Sequence, residues 1–419
     1  MKKLLVLTLI VVMLAALGSS CRPSATPTPT PKPVVPTPTP VPPTPTPVPK
    51  PVKVGCTVAL TGKYAEAGKR YEKAYRLWES QVNEKGGLLG RPVQFIIYDD
   101  TSDPDTGLSL YEKLITVDKV DLLLGPYTSG IVEPTSALAE KYKMLFLQGG
   151  GNASKLFERG FKYLFLTLPG LAEDQPGPPL SFIASLPQAE RPKSLAQIFL
   201  DDLPMIAEAE GVRKKAAEIG IPIVYEEKLP KGITDLLPTI SKVKASGAEV
   251  LLGHLFLPEG VLATRAAKEL DYNAKLLWFT TGPALKDWHD TLGADGEYVW
   301  GTTMYSAAAT TPGNAEFVAA FQRMWNEAPG YHAAGAYAAA QVLQAAIKAT
   351  QSLNNDVLRD YVAANKFPTV IGTLQWDEKG KPAPAFAGIQ WLGGKMEIVW
   401  PPQSATKNLV YPAPPWSKR

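Results

Sequence analysis

Residues 53–100 read KVGCTVALTGKYAEAGKRYEKAYRLWESQVNEKGGLLGRPVQFIIYDD, and this stretch decides the fold of the chain. Lys53–Ala59 and Val93–Tyr98 are short apolar runs of the kind that form buried strands. Between them, residues 66–84 carry aromatic and aliphatic side chains at helical spacing, and Gly86-Gly87 is a typical helix C-terminus. A strand, an amphipathic helix and a second strand in this order predict a βαβ unit with parallel strands.

The same alternation of strand and helix repeats along most of the chain. Further strands are predicted over 121–124, 144–147, 195–200, 222–225, 249–252, 275–279, 386–391 and 395–400, and further helices over 104–117, 133–142, 205–219, 235–245, 259–270, 315–325 and 333–350. A Gly/Pro-rich break at Pro169–Pro179 divides the alternation into two series. We therefore predict an α/β protein with two units, each built on its own parallel sheet.

Composition and charge exclude several classes of function. The chain has 419 residues and a net charge of only +3, with both signs mixed, so no basic stripe suggests a nucleic-acid partner. Two cysteines cannot make a disulfide framework, and we expect Cys56, in the first strand, to be a small core residue. The three histidines (His254, His289 and His332) lack metal-ligand spacing, so we predict no metal site and expect each of them on the surface or in a loop.

Motifs for catalysis are not evident in the sequence. Gly62 and Gly68-Lys69 resemble a phosphate loop, but five residues intervene instead of four and Arg70 stands where Ser or Thr is required. Asp99 and Asp100 are neighbours in a strand end and point to opposite faces, which favours a capping or surface role over a carboxylate dyad. The sequence therefore predicts a protein that is not an enzyme and needs no cofactor.

The N-terminus predicts export from the cytoplasm. A basic start precedes an apolar run over residues 4–17, which is too short to span a bilayer and is typical of a signal peptide, here residues 1–20. Gly18-Ser19-Ser20-Cys21 resembles the end of a bacterial lipoprotein signal, which implies a lipid on Cys21 and an anchor in the cell membrane. Gly18 stands where that signal usually has leucine, and the alternative is an ordinary secretory signal in which Cys21 has no role.

Residues 21–51 form a Pro/Thr-rich linker. Fourteen of the 40 prolines of the chain fall in this segment, so it cannot bury a core and favours an extended spacer. The linker and the lipidated cysteine together predict an extracytoplasmic protein tethered to the membrane.

The loops after the predicted strands carry the candidate binding residues. In an open parallel sheet, ligands bind beyond the carboxyl ends of the strands. Those positions here are Thr61–Tyr64, Gly125–Gly130 and Gly149–Asn152, which supply glycines, hydroxyls, an amide and the two tyrosines Tyr64 and Tyr127. Such residues bind a solute but supply no obvious general acid or base.

Five segments in order resemble the extracytoplasmic solute-binding proteins of branched-chain amino-acid ABC transporters, namely Ala59–Gly62, Asn83–Arg91, Tyr98–Asp100, Leu123–Tyr127 and Glu158–Tyr163. The resemblance covers residues 52 to about 400. It implies the type I periplasmic binding protein fold, with two doubly wound parallel-sheet lobes joined by crossing hinge strands. The implied division is 52–168 with 306–350 for the first lobe, 169–305 with 351–400 for the second, and 401–419 for a C-terminal tail.

The resemblance also implies a site in the first lobe. Family members hold the carboxylate of the ligand through hydroxyls and backbone N–H groups after the third and fourth strands. The matching positions here are Tyr127, Thr128, Ser129, Gly150, Gly151 and Asn152. Backbone donors at helix N-termini suit an anion on physical grounds as well, although the same residues also occur in ordinary turns.

The second lobe departs from the family pattern. An acid that commonly takes the ammonium of the ligand is absent from Thr280–Ala284, where Thr281 is the nearest polar candidate, and the usual aromatic position falls at Phe256 or Leu257. The acids expected to replace the missing one, or to cap helices instead, are Asp201, Asp202 and Glu259. A small carboxylate, an amide or an aromatic acid thus joins the amino acids as an expected ligand, with Tyr64, Tyr127 and Phe256 as walls.

The leading prediction is therefore a membrane-tethered receptor that delivers a small polar solute to an ABC permease. The alternative is a ligand-sensing receptor domain without a transport role.

Overall fold

The computed structural model describes residues 49–419, so the predicted signal peptide, Cys21 and nearly all of the Pro/Thr-rich linker lie outside the described residues. Within 49–419, no helix combines the length and the apolar character needed to cross a membrane.

The first part of the described chain forms a five-stranded sheet with three helices. Its elements are β1 (Val52–Val58), α1 (Ala65–Glu84), β2 (Val93–Asp99), α2 (Pro104–Thr116), β3 (Leu122–Leu124), α3 (Ser129–Lys141), β4 (Phe146–Gln148) and β5 (Leu164–Leu166). All neighbouring strands are parallel, in the order β2-β1-β3-β4-β5. The core side of β1 includes Cys56, which is fully buried as predicted.

The middle of the chain builds the second sheet. Its elements are α4 (Gly177–Ser185), β6 (Leu195–Leu200), α5 (Leu203–Ile219), β7 (Ile223–Leu229), α6 (Leu237–Ala245), β8 (Val250–His254), α7 (Leu257–Glu269), β9 (Leu276–Phe279), α8 (Lys286–Leu292) and β10 (Trp300–Thr303). These five strands pair with one another in parallel.

The last part of the chain returns to both sheets. It forms α9 (Asn314–Trp325), α10 (Tyr331–Thr350), α11 (Asn355–Ala364), β11 (Phe367–Thr369), β12 (Gly372–Leu374), β13 (Ala387–Trp391) and β14 (Met396–Trp400). Strand β13 pairs antiparallel with β10, and β14 pairs antiparallel with β13, giving the order β14-β13-β10-β9-β8-β6-β7. Strands β11 and β12 form a separate hairpin. The prediction of two α/β units with separate sheets is confirmed.

Helices α9 and α10 pack against α1, and α11 packs against α10. We call the first sheet with α1–α3 and α9–α11 the first lobe, and the second sheet with α4–α8 the second lobe. The α11 contacts differ from the division that the resemblance implied, because Asn355 accepts a hydrogen bond from Leu145 N–H and donates one to Asp121. Further along, Trp376 Nε1 donates to Leu166 O at 2.6 Å. The chain thus stays with the first lobe beyond residue 351 and joins the second sheet only at β13.

The predicted C-terminal tail is packed rather than free. Trp416 is 8% exposed, and its Nε1 donates to Tyr272 O at 2.9 Å. Residues 401–419 therefore cover part of the second lobe.

One close approach positions the loop between β1 and α1. A Cβ atom at Gly68 would lie 1.9 Å from Ala59 O, so only glycine lets α1 pack on the end of β1. This packing places Tyr64, just before α1, at the edge of the first lobe that faces the second.

Candidate ligand-binding cleft

The carboxyl ends of strands from both sheets meet at one cavity between the lobes. The first lobe contributes loop and helix residues to its lining, namely Tyr127, Thr128, Gly150, Asn152 and Tyr331. The second lobe contributes Pro204, Met205, Glu208, Phe256, Thr280 and Thr281, and the connecting segments contribute Leu168, Gln175 and Met304. The cavity measures only about 30 Å³, about the share of one water molecule in the liquid.

Direct contacts between the lobes explain why the cavity is so small. Tyr64 O–H donates to Asp202 Oδ2 at 2.7 Å, and its ring lies 5.1 Å from that of Phe256. At the rim, Arg70 pairs with Asp287 at 2.5 Å. This conformation is therefore a closed one, and a solute larger than water enters only when these contacts separate.

Gln148, at the end of β4, fixes the loop that follows it. Its Oε1 accepts hydrogen bonds from Gly150 N–H at 2.9 Å and Gly151 N–H at 2.5 Å, and its Nε2 donates to Gly151 O at 2.8 Å. A Cβ atom at Gly150 would lie 2.4 Å from Pro126 O, so the two first-lobe loops are pressed together. The N–H groups of these two glycines, expected to hold a carboxylate, are thus already bonded within the lobe.

Ser129 has a similar supporting role. Its Oγ accepts from the N–H groups of Asn152 and Ala153, both at 3.1 Å, and the residue is fully buried. Ser129 is therefore a positioning residue that joins the two loops, and it does not line the cavity.

The N-terminus of α3 is the part of the first-lobe wall with the physical character that suits an anion. The helix begins at Ser129, four residues before the predicted start, and within residues 49–419 no side chain caps it. Thr128, the residue immediately before the helix, lines the cavity and is 2% exposed. Uncapped N–H groups and the helix dipole favour a negative charge at this point.

Six of the ten predicted binding residues line the cavity. They are Tyr127, Thr128, Gly150, Asn152, Phe256 and Thr281. Tyr64 packs over this group, 5.8 Å from the ring of Tyr127, while Ser129 and Gly151 lie behind it. Leu257, the first residue of α7, is half-buried and does not line the cavity. The role of each residue in binding stays a prediction.

The sequence missed the only carboxyl group that lines the cavity within the described residues. Glu208 lies on α5 and is fully buried. Its Oε2 lies 3.0 Å from His254 Nδ1 and accepts a hydrogen bond from Thr280 Oγ1, while its Oε1 has no partner among residues 49–419. Burial raises the pKa of the Glu208 carboxyl well above its usual range.

A sequence signal for Glu208 did exist. It lies at i+3 from Met205 and i−4 from Val212, on the buried face of α5. A carboxyl group at a core-facing helical position is unusual and marks a candidate functional group.

The three acids expected to replace the missing family acid do not line the cavity. Asp202 is 2% exposed and accepts hydrogen bonds from Tyr64 and Lys63 of the first lobe. It therefore belongs to the contact that holds the two lobes together. Asp201 is exposed and pairs with Lys228 at 3.3 Å. Glu259 lies in the first turn of α7, where burial raises the pKa of its carboxyl. Within residues 49–419, the carboxyl group at the cavity wall is instead that of Glu208.

The expectation of surface or loop positions was wrong for two histidines. His254 ends β8 and His332 is the second residue of α10, and they are 0% and 1% exposed. Both side chains lie among aromatic neighbours, and burial lowers the pKa of His254 to about 3. His289 is half-buried and stacks on Trp391 at 4.8 Å. In residues 49–419, no group of three or more His, Cys, Asp or Glu residues is arranged to hold a metal ion.

A two-lobed α/β fold with a cleft that closes between the lobes is characteristic of bilobal solute-binding proteins. A family model described as "Periplasmic binding protein" matches residues 51–395, so this chain belongs to that family.

Named relatives and structural neighbours of the chain include an amino-acid-binding protein and complexes with isoleucine and with an aromatic acid. The chain is 27% identical over 333 residues to the leucine-, isoleucine-, valine-, threonine- and alanine-binding protein of Pseudomonas aeruginosa, covering 78% of this chain and 86% of that protein. A branched-chain amino acid transporter substrate-binding protein from Streptococcus pneumoniae, in complex with isoleucine, has a TM-score of 0.75 at 20% identity, covering 87% of this chain and 100% of that one.

An ABC-transporter solute-binding protein from Rhodopseudomonas palustris, in complex with 3,4-dihydroxybenzoic acid, has a TM-score of 0.72 at 22% identity. The match covers 82% of this chain and 94% of that one. Likenesses at this identity show the shared fold, and the two recorded ligands differ in charge and shape.

Proposed function

We propose that this protein captures a small amino acid, or a related carboxylate or amide, in the interlobe cleft and delivers it unchanged to an ABC permease. The observation that carries the proposal is the cleft itself, which both lobes line and which direct lobe contacts close. Affinity then comes from hydrogen bonds made in a site from which closure excludes water.

The carboxylate of the solute is assigned to the first lobe. The N-terminus of α3 supplies N–H groups and a favourable dipole, Thr128 supplies a hydroxyl, and Asn152 supplies a side-chain amide at the cavity wall. Gln148 and Ser129 hold these loops in place before the solute arrives. A preformed site of this kind lowers the entropic cost of binding.

The opposite wall suits an apolar solute body. Met205, Phe256 and Met304 line it, and methionine side chains adapt to irregular shapes. The recorded ligands of relatives, a branched-chain amino acid and a dihydroxybenzoic acid, both combine a carboxylate with an apolar body.

A binding panel tests this function. The mature protein is mixed with amino acids, amides, aliphatic acids and aromatic acids, and both the thermal shift and the heat of binding are measured. We expect saturable 1:1 binding of at least one carboxylate with a raised melting temperature. No binding across the whole panel would remove the small-solute function.

The membrane tether is part of the same proposal and rests on the sequence around Cys21 and on the Pro/Thr-rich linker. Two or more acyl chains give stable membrane attachment, which one chain does not. In a bacterial host, the wild-type protein is expected in the detergent phase of a Triton X-114 extraction and Cys21→Ser in the aqueous phase. Recovery of both proteins in the aqueous phase would contradict lipidation and leave the binding function intact.

A further inference from the structure

The buried carboxyl group of Glu208 is the feature of the cleft that the proposed function leaves without a role. Glu208 is 0% exposed and lines the cavity, and its Oε1 atom has no hydrogen-bond partner within the described part of the chain. An oxygen left without a partner in a buried site costs free energy unless a ligand bonds it.

A chain of hydrogen bonds behind Glu208 fixes the protonation of its neighbour. Arg213 holds Glu226 through two bonds, at 3.0 and 2.7 Å. Glu226 accepts from Gln197 Nε2, so the amide oxygen of Gln197 faces His254 Nε2 at 3.1 Å. Because an amide oxygen only accepts, His254 carries its proton on Nε2.

The protonation state of His254 in turn determines that of Glu208. A neutral imidazole with its proton on Nε2 has an acceptor at Nδ1, and this atom lies 3.0 Å from Glu208 Oε2. Two acceptors cannot share a hydrogen bond, so Oε2 carries the proton and donates it to His254. Transfer of that proton to His254 would give an ion pair, and the net charge of the two side chains would still be zero.

Oε1 of Glu208 is therefore an acceptor on an uncharged pair. Of the fourteen residues that line the cavity, Glu208 is the only one that carries a carboxyl group, and none carries an amine or a guanidinium. An ammonium group in this position would lose its water without gaining an opposite net charge, which is unfavourable in a closed, buried site. A hydroxyl or an amide N–H carries no such penalty.

We propose that Glu208 binds an uncharged donor of the solute, a hydroxyl or an amide N–H, and so selects hydroxy acids and amido acids over zwitterionic amino acids. This inference rests on the proposed function and names its solute class. His254 and Thr280 act through Glu208 as positioning residues, since both bond its Oε2 atom.

Two matched pairs of probes test the selection on the wild-type chain. They are 2-hydroxy-4-methylpentanoate against leucine, and 4-(hydroxymethyl)benzoate against 4-(aminomethyl)benzoate, each pair differing in a hydroxyl against an ammonium. Calorimetry of the mature protein is expected to give at least tenfold tighter binding of the hydroxyl member, about 1.4 kcal/mol, in one pair or both. Tighter binding of the ammonium member in either pair, or equal binding within both, would overturn the inference and leave the solute-binding function standing.

Two variants test the role of Glu208 in binding the hydroxyl probe. Glu208→Gln keeps an acceptor toward the cavity and a donor toward His254, so it is expected to bind the hydroxyl probe within about threefold of wild type. Glu208→Met has a similar volume but neither group, and we expect at least a tenfold loss. A loss in Glu208→Gln as large as that in Glu208→Met would show that a negative charge is needed, against the inference.

The failures of the two proposals are distinguishable. A wild-type protein that binds none of the four probes and none of the wider panel overturns the proposed function together with the inference. A wild-type protein that binds carboxylates without regard to the second group overturns the inference alone.

Discussion

The two sides of the cleft are built in different ways. The first-lobe side combines the N–H groups at the N-terminus of α3 with the side chains of Thr128 and Asn152, in loops held by Gln148 and Ser129. The second-lobe side is made of side chains, above all Phe256 and Glu208. Backbone donors recognise the carboxylate that many solutes share, whereas side chains can change between relatives without moving a strand. We therefore propose that the first lobe gives affinity for carboxylates in general and that the second lobe selects among them.

The largest effect on stability and binding is expected at Gln148, which holds the first-lobe loops together. Gln148→Met removes the acceptor of two buried N–H groups and the donor to Gly151 O. We expect the free energy of unfolding to fall by about 2–4 kcal/mol and solute binding to weaken more than tenfold. Chemical denaturation and calorimetry measure the two effects.

Gln322→Met, on the exposed face of α9, is the matched control and is expected within about 0.5 kcal/mol of wild type. Equal stability of both variants would mean that the first-lobe loops do not depend on Gln148.

A second prediction compares the buried carboxyls of the two lobes. Asp100 in the first lobe accepts from Thr57 Oγ1 at 2.8 Å and from Ser102 N–H at 3.0 Å, whereas Glu208 keeps an open oxygen. Burial raises the pKa of Asp100 to about 6, against the opposing effect of these bonds. The folded pKa lies above the unfolded one, so the stabilising contribution is full below about pH 4 and is lost as the pH rises through 6.

The free energy of unfolding of the wild type is therefore expected to fall between pH 4 and pH 7, and Asp100→Asn is expected to make that fall smaller by about 2–3 kcal/mol. Asp105→Asn, at an exposed position of α2, serves as the control. Parallel pH profiles for wild type and Asp100→Asn would contradict the shifted pKa.

The third prediction tests whether the first lobe binds the carboxylate of the solute. Thr128→Val removes the hydroxyl beside α3 while keeping the shape of the side chain, and Thr128 is 2% exposed. We expect every carboxylate to bind about tenfold more weakly, whatever its second group, because the lost bond is to the shared carboxylate. Thr128→Ser keeps the hydroxyl and is expected to restore most of the affinity. A loss confined to hydroxylated solutes would place the carboxylate elsewhere.

The smallest effect is expected at the contact between the lobes. Tyr64→Phe removes the hydroxyl that donates to Asp202 at 2.7 Å, so the closed form loses one interlobe bond. Solute affinity is expected to fall about threefold, because a less populated closed form lowers the apparent affinity. The melting temperature of the solute-free protein is expected to stay nearly unchanged. Tyr98→Phe, which removes a hydroxyl bonded to Asp118 within one lobe, is the control. Unchanged affinity in Tyr64→Phe would remove this bond from the closing mechanism.

Sequence alone was informative about the first-lobe side and poor about the second. The loop positions of Tyr127, Thr128 and Asn152 follow from strand order, since loops after parallel strands meet at one edge. Glu208 reaches the cavity from inside a helix, where helical periodicity predicts only a buried face. The roles of Asp202 and His254 depend on contacts between distant segments, and α11 contacts the first lobe through side-chain bonds that no local pattern specifies.

The division of roles between the two lobes can be read from a crystal structure of the mature protein with its tightest-binding solute. We expect the carboxylate at the N-terminus of α3 beside Thr128 and an uncharged donor within about 3 Å of Glu208 Oε1. A solute bound outside the cleft, or one with its carboxylate against Glu208, would contradict the division of labour between the two lobes.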